Sequence, residues 1–230
     1  MIRIERLEIR NGEKPLVELA FEIGDSLALV GQSGSGKSLT LKALLGMLPS
    51  NLGCELEVEA PFDLIRGETV AFVPQNPFTS LSPMTKIRRQ WFASEAKAKE
   101  LFDLLGLEWS LFERYPPQLS GGQLQRIIFA IALSSDPKLL LLDEPTTALD
   151  PRLREEIARV LVELRERFGF SMLFVTHDIN LAGTICKETL VIREGCVVES
   201  GSSDTVLHHP RSDYTRRLVE ASFANREFRK

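Results

Sequence analysis

Apolar and polar residues alternate with a period of two over Ile2–Ile9 (IRIERLEI) and again over Leu16–Ile23 (LVELAFEI). That period puts successive side chains on opposite faces, so each stretch predicts a half-buried strand. NGEKP between them is turn chemistry, and the pair reads as a hairpin with one buried face. Ser26–Val30 (SLALV) is apolar almost throughout and runs into glycine, the pattern of a buried strand feeding a loop. The period then changes. Leu41, Leu44, Leu45 and Leu48 recur at helical spacing from Ser38 onward.

The alternation switches several more times along the chain. Glu55–Glu59 reads as an edge strand and Thr69–Val73 as a buried strand ending at Pro74. Lys86 to about Leu107 carries a helical pattern that stops before PPQ at Pro116–Gln118. Leu124, Ile127, Ile128 and Ile131 predict a helix from Gly121 or Gly122 to about Leu133. Leu139–Asp143 is a strand, and Pro151–Phe168 a long charged helix with Ile157, Val160, Leu161 and Leu164 on one face. Ser171–Thr176 is a strand, Ile179–Cys186 a helix, and TLVIREGCVVESG two strands about a Glu194–Gly195 turn. From about Ser203 the tail predicts short charged helices.

Strands apolar on both faces, alternating with amphipathic helices, predict an α/β fold with a mostly parallel sheet. The N-terminal alternation predicts an antiparallel β flap. The stretch without strands predicts an inserted helical lobe, about 83–135, in a single domain whose core is about 1–82 and 136–230.

Composition narrows the class without naming a function. The chain has 230 residues, 43% hydrophobic and 26% charged, which suits a soluble globular domain with a proper core. The net charge is −4 with acids and bases interspersed, so no nucleic-acid partner is expected. The longest apolar runs are far below the roughly 20 residues that span a bilayer, and no signal segment is expected. Cys54, Cys186 and Cys196 are too scattered for a disulfide framework or a zinc site and suit a reducing cytoplasm.

The first chemical motif is GQSGSGKS, Gly31–Ser38, between a strand and a helix. It matches G-x-x-x-x-G-K-[ST], a loop whose glycines turn several backbone N–H groups inward. The following helix adds its positive end. Gly31, Ser33, Gly34, Ser35, Gly36, Lys37, Ser38 and Leu39 are therefore expected to cradle nucleotide phosphates. Lys37 places charge on the terminal phosphates, and the Ser38 hydroxyl is a magnesium ligand. A site of this type needs an acid at a strand end, and Leu139–Asp143 supplies Asp143 for magnesium. Glu144 follows, placed to orient or deprotonate an attacking water.

A second glycine turn, LSGGQ at Leu119–Gln123, also opens a helix. Ser120, Gly121 and Gly122 would form another anion site. One nucleotide in one chain has no use for both. A two-fold pair of subunits resolves this, with the turn of one closing over the phosphates held by the other.

GQSGSGKS, LSGGQ, LLLLDE, TALD and a later TH, in that order, resemble the ATP-binding subunit of an ABC transporter, over nearly the whole chain. The resemblance implies ATP with Mg2+ and an ATP hydrolase. It identifies Gln75 with the Q-loop glutamine that reaches magnesium and the attacking water. It likewise identifies Gln123 with the signature glutamine, Asp150 with the D-loop aspartate at the dimer contact, and His177 with the switch histidine that bonds the γ-phosphate. The family usually stacks an aromatic residue on adenine just after the first strand. Here the stretch is EIRNGEK, where Arg10 either stacks on the base or is simply solvated.

QNPFTSLSPM (Gln75–Met84), DEPTTALD and HHPRSDYTRRLVEA (His208–Ala221) are similar to stretches of the dipeptide, oligopeptide and nickel importer ATPases. A short Gln75–Ser120 interval and the lack of a cysteine-bearing C-terminal extension favour the nickel-type form. That resemblance implies uptake of nickel or peptides, powered from the cytoplasmic face of the cell membrane. The implied partners are transmembrane permease subunits, a second ABC ATPase subunit (same or homologous) and, indirectly, an extracytoplasmic substrate-binding protein. His208 and His209 read as a surface pair. The rival is a soluble ABC ATPase acting on DNA or ribosomes, which usually carries coiled-coil insertions or two ATPase domains.

Overall fold

The computed structural model describes residues 1–146 and 151–227, without the side chains of 151 and 223–227. In chain order the strands are β1 (Ile2–Asn11), β2 (Lys14–Ile23), β3 (Ser26–Val30), β4 (Gly53–Glu59), β5 (Val70–Val73), β6 (Leu139–Asp143), β7 (Ser171–Thr176), β8 (Glu188–Arg193) and β9 (Cys196–Ser202). The helices are α1 (Lys37–Leu44), α2 (Glu95–Leu104), α3 (Gly121–Leu133), α4 (Pro151–Phe168), α5 (Ile179–Ile185), α6 (Ser203–His208) and α7 (Asp213–Glu227). Two compact units divide them: Met1–Leu64 with Ser171–Lys230, and Ile65–Phe170.

In the first unit the strands run β4-β1-β2-β9-β8-β3-β7. The predicted hairpin is there: β1 is antiparallel to β2, Ile2 opposite Ile23, and β4 covers its other edge. Ile2, Ile4, Leu7 and Ile9 are buried while Glu5 and Arg10 are exposed, as the alternation requires. A register shift between Ile4 and Leu7 restarts the alternation one residue late. β3 lies parallel to β7 and to β8, with Val30 opposite Thr176 and Val191. All five of its residues are buried, which is why it reads as a continuous apolar run. β8 and β9 form the second hairpin about Glu194 and Gly195, which take φ of 51° and 80°.

In the second unit β5 and β6 are parallel, Val73 opposite Leu142. The predicted helix over Lys86–Leu107 differs from what forms. A 3-10 turn at Ile87–Gln90 gives way to extended backbone at Trp91, and Ser94 caps a new helix by accepting from the Lys97 N–H at 3.2 Å. Serine at an N-cap satisfies an otherwise unpaired N–H, so it starts a helix better than it continues one. The break turns Trp91 inward. It meets Phe102 and Phe112 edge-on at 6.2 and 5.9 Å, while Trp109 stacks on Phe112 at 4.6 Å. These aromatics give this strandless stretch its own core.

Candidate nucleotide site and family

Because Val30 and Thr176 are partners in adjacent parallel strands, Gly31 and His177 leave the sheet side by side. The loop after β3 is tight. A Cβ on Gly31 would sit 2.4 Å from the Ile192 carbonyl oxygen and 2.6 Å from Ser35 Oγ, so glycine is required by contact. Gly34 and Gly36 take φ of 80° and 105°, which L side chains rarely adopt. Gly36 then caps α1, so Lys37 and Ser38 are its first residues.

Lys37 is buried and its ammonium donates to the carbonyl oxygens of Gly31 (2.7 Å) and Gln32 (3.0 Å), which curls it back over the loop. Ser35 Oγ is buried with no hydrogen-bond partner, an orphaned polar atom inside a cradle. The β8–β9 turn buttresses that cradle: Gly195 N–H donates to the Ser35 carbonyl at 3.0 Å, and Glu18 N–H to that of Gly195 at 2.8 Å. Gln32–Ser35 line a cavity of about 320 Å3 with Arg193, Tyr214 and Arg217. Arg193 and Arg217 there suit an anion, although the Glu194 carboxylate also lines the cavity. Ser33 is exposed there and Leu39 is half-buried on α1.

His177 is exposed just past β7. Its neighbour Asp178 caps α5, the carboxylate accepting from the N–H groups of Asn180 and Leu181 at 3.1 Å each. Arg10 is half exposed, and its guanidinium is fastened to the buried Glu8 carboxylate. Arg6 also binds Glu8, and the hydrogen bonds from Arg6 and then Arg10 hold that carboxyl below the usual range.

In the second unit, the β5–β6 register brings Gln75 and the end of β6 to one edge. Gln75 Nε2 donates to Glu144 Oε2 at 3.3 Å. Asp143 and Glu144 are both half-buried. Glu144 has φ of 44°, a strained backbone for a non-glycine residue and one that concentrates at functional positions.

Ser120 caps α3 in a reciprocal box. Its Oγ accepts from the Gln123 N–H at 3.2 Å, and its own N–H donates to Gln123 Oε1 at 3.0 Å. The first N–H groups of a helix have no partner within it, so those of Gly121 and Gly122 point outward. The two glycines differ. A Cβ on Gly122 would meet Leu153 Cδ2 at 2.7 Å, whereas among the described residues one on Gly121 would meet nothing within 4 Å. Asp150 lies outside the described residues.

Residues 16–147 match the sequence model of a family described as ABC transporter. The chain belongs to the ABC transporter family.

This ABC ATPase is 32% identical to the metal-staphylopine import system ATP-binding protein CntD of Staphylococcus aureus, over 90% of this chain and 87% of that one. It is 33% identical to the oligopeptide transport ATP-binding protein OppD of Bacillus subtilis, over 88% of this chain and 64% of that longer one. Among solved structures it superimposes on cbiO1 of Clostridium perfringens, part of the cbiONQ transporter complex, with a TM-score of 0.76. Identity there is 25%, over 99% of this chain and 97% of that one. The ATP-binding cassette MJ0796, solved as a dimer in a post-hydrolysis state with ADP and Pi, gives a TM-score of 0.71 and 28% identity. That match covers 88% of this chain and 99% of that one. The chain is an ATP-binding, ATP-hydrolysing subunit, and the expected fold class and family stand.

Sequence reasoning passed over three features of this ABC ATPase: the Glu194–Gly195 buttress, the Glu8 partner of Arg10, and Tyr214. Gly195 had a signal, since a Cβ there would meet the Leu16 carbonyl oxygen at 2.1 Å and an EG turn in a hairpin marks close backbone. Tyr214 stands in a stretch noted only for its likeness to other importer ATPases.

Proposed function

We propose that this ABC ATPase powers uptake of nickel or peptides through separate membrane subunits, as a peripheral protein on the cytoplasmic face of the cell membrane. The names of its relatives, importers of metal-staphylopine and oligopeptide, support that cargo class. Among the described residues no helix is long and apolar enough to cross a membrane, so a transport path needs partner chains. Phe78, Met84 and Phe92 are large apolar side chains left 54%, 85% and 92% exposed, which supports a permease docking near Asn76–Met84. A substrate-binding protein would act on the far side, through the permease. The domain reading is one ATPase domain with a helical lobe at about 83–135.

The residue roles are these. Backbone N–H groups of Gly31 and of Ser33 to Leu39, with Lys37, hold the β- and γ-phosphates. Ser38, Gln75 and Asp143 offer hydroxyl, amide and carboxylate oxygens, the hard donors that suit magnesium. When bound, that ion neutralises charge on the β- and γ-phosphate oxygens. Glu144 takes a proton from the water whose oxygen attacks the γ-phosphorus, as the bond from phosphorus to the bridging oxygen breaks and ADP departs with phosphate. Gln75, bonded to Glu144, orients that water, and His177 bonds the γ-phosphate. Arg10, engaged by Glu8, is free on one face for a base.

Ser120, Gly121, Gly122 and Gln123 of one subunit close over the γ-phosphate held by its neighbour, a second copy or a homologous chain, with Asp150 at the contact. The observation that carries this is Gly121. Among the described residues a Cβ there would meet nothing within 4 Å, which leaves room at the start of α3 for a neighbour's phosphate. Charge-assisted hydrogen bonds contribute about 1.5–3 kcal/mol each, and a few per nucleotide reach the ~5.5 kcal/mol that a near-complete switch requires. Loss of the γ-phosphate then releases the clamp.

The test is steady-state hydrolysis by the purified protein. Glu144→Gln should lower kcat by about 10²–10⁴, the worth of a general base, while ATP binding persists. Hydrolysis at the wild-type rate removes Glu144 from the chemistry. Co-purification with permeases supports the transport role, and recovery with ribosomes or DNA instead opposes it.

A further inference from the structure

Helix α7 touches the phosphate machinery at two places. In its first turn, Tyr214 Oη accepts the Gln32 N–H of the phosphate loop at 3.2 Å, across 182 positions of sequence. Arg193 lies over the Tyr214 ring at 5.4 Å and holds it in place. Eight residues on, about 12 Å along the helix, the Ser222 hydroxyl accepts from Asn180 Nδ2 at 2.8 Å and donates to Asp178 Oδ1 at 3.1 Å. Asp178 follows His177 and caps the helix that begins there.

The helix is itself fixed. Buried Glu199 on β9 receives the N–H groups of Arg211 and Ser212 at 2.8 and 3.0 Å, at the entry to α7. Ser212 then caps α7 by accepting from Thr215 N–H at 3.0 Å. HPRSDYT thus encodes an anchor, a cap and a hydroxyl aimed at the phosphate loop.

We infer that α7 is a positioning brace, in which Tyr214 sets the backbone of the phosphate loop and Ser222 sets the segment that carries His177. The inference rests on the roles given above to that loop and to His177. Neither residue touches the reacting atoms. The two act on different quantities: the loop governs how ATP is held, and the histidine segment governs what happens to the γ-phosphate once held.

The experiment measures kcat and KM for ATP, the ATP dissociation constant and Tm for the full chain carrying Tyr214→Phe, Ser222→Ala or Ser222→Thr. Tyr214→Phe keeps the ring under Arg193 and removes the acceptor. It should raise KM and Kd for ATP about three- to tenfold, the worth of one hydrogen bond, with kcat nearly constant. Ser222→Ala should lower kcat by a similar factor at unchanged Kd, and Ser222→Thr should restore it. Wild-type values in both alanine and phenylalanine variants overturn the brace. So does a joint change in kcat and Kd that tracks a fall in Tm, because that is the mark of general support. Lys37→Ala separates this from the underlying reading. If it binds and hydrolyses ATP normally, the phosphate-loop assignment fails and the brace with it. If it loses binding while the α7 variants behave as wild type, only the brace fails.

Discussion

Two adjacent glycines open α3, and the structure predicts opposite consequences for replacing them. Gly122→Ala puts a Cβ 2.7 Å from Leu153 Cδ2 and 3.1 Å from Cδ1. The leucine must rotate away, at about 1–2 kcal/mol for a contact of that kind, which alanine's gain over glycine in a helix, up to ~1 kcal/mol, partly offsets. For a chain of this size, the net lowers Tm by up to about 4 °C. Among the described residues Gly121→Ala meets nothing within 4 Å, and alanine is the better helix former by up to ~1 kcal/mol. Its Tm should hold or rise slightly. Activity should reverse the order of harm at this position: in the proposed clamp the new methyl lies where the neighbour's γ-phosphate would be held, displacing at least one charge-assisted bond of about 1.5–3 kcal/mol. That corresponds to about a 10- to 150-fold loss in closure and in hydrolysis at limiting protein concentration. Thermal unfolding and ATP turnover on the same preparations decide the matter. A Gly121→Ala protein that melts normally and hydrolyses normally refutes the reasoning, as does one that fails only because it has unfolded.

Other outcomes follow from single contacts. Gly31→Ala drives a Cβ against the backbone carbonyl of Ile192 at 2.4 Å, so Tm should fall by several degrees, about 1–3 kcal/mol; an unchanged melting curve contradicts that close approach. Glu144→Gly relieves a φ of 44°, worth about 1–2 kcal/mol, against about 0.5–1 kcal/mol for glycine's greater freedom when unfolded. That variant should melt at or slightly above wild type while losing hydrolysis, and a clear drop in Tm argues against strain. Burial pushes the Glu199 carboxyl up, but the N–H groups of Arg211 and Ser212 and the hydroxyls of Thr215 and Ser212 together hold it below its ordinary value. A depressed carboxylate contributes stability that is full above its unfolded pKa, about 4.3, and is lost as pH falls through the folded one. Chemical denaturation from pH 6 downward should therefore show a steeper loss in wild type than in Glu199→Gln.

Where local pattern and tertiary packing agree, the fold was legible from residues alone. The period-two alternation of Ile2–Ile9, the all-apolar Ser26–Val30 and the helical spacing from Gly121 to Leu133 each reflect the physics that forms the element. The helical period over Lys86–Leu107 misled because leucine and lysine spacing says nothing of Ser94, whose capping bond interrupts it. The phosphate loop was readable because its chemistry is local. The contact of Tyr214 with Gln32 was not, since a hydroxyl 182 positions away leaves no trace in spacing. Arg10 illustrates the same limit. Glu8 is its neighbour on the same strand, two residues away and on the same face, yet a charge pair at that spacing does not announce that the carboxylate is buried.

ATP is the proposed link between two ATPase faces, and the mass of the Glu144→Gln protein in solution tests that most directly. Light scattering with saturating ATP and magnesium should give twice the mass of one chain, with ADP the mass of one, and with ATP but Gly121→Ala added again the mass of one. A Glu144→Gln protein that holds ATP at saturation and keeps the mass of a single chain contradicts the account.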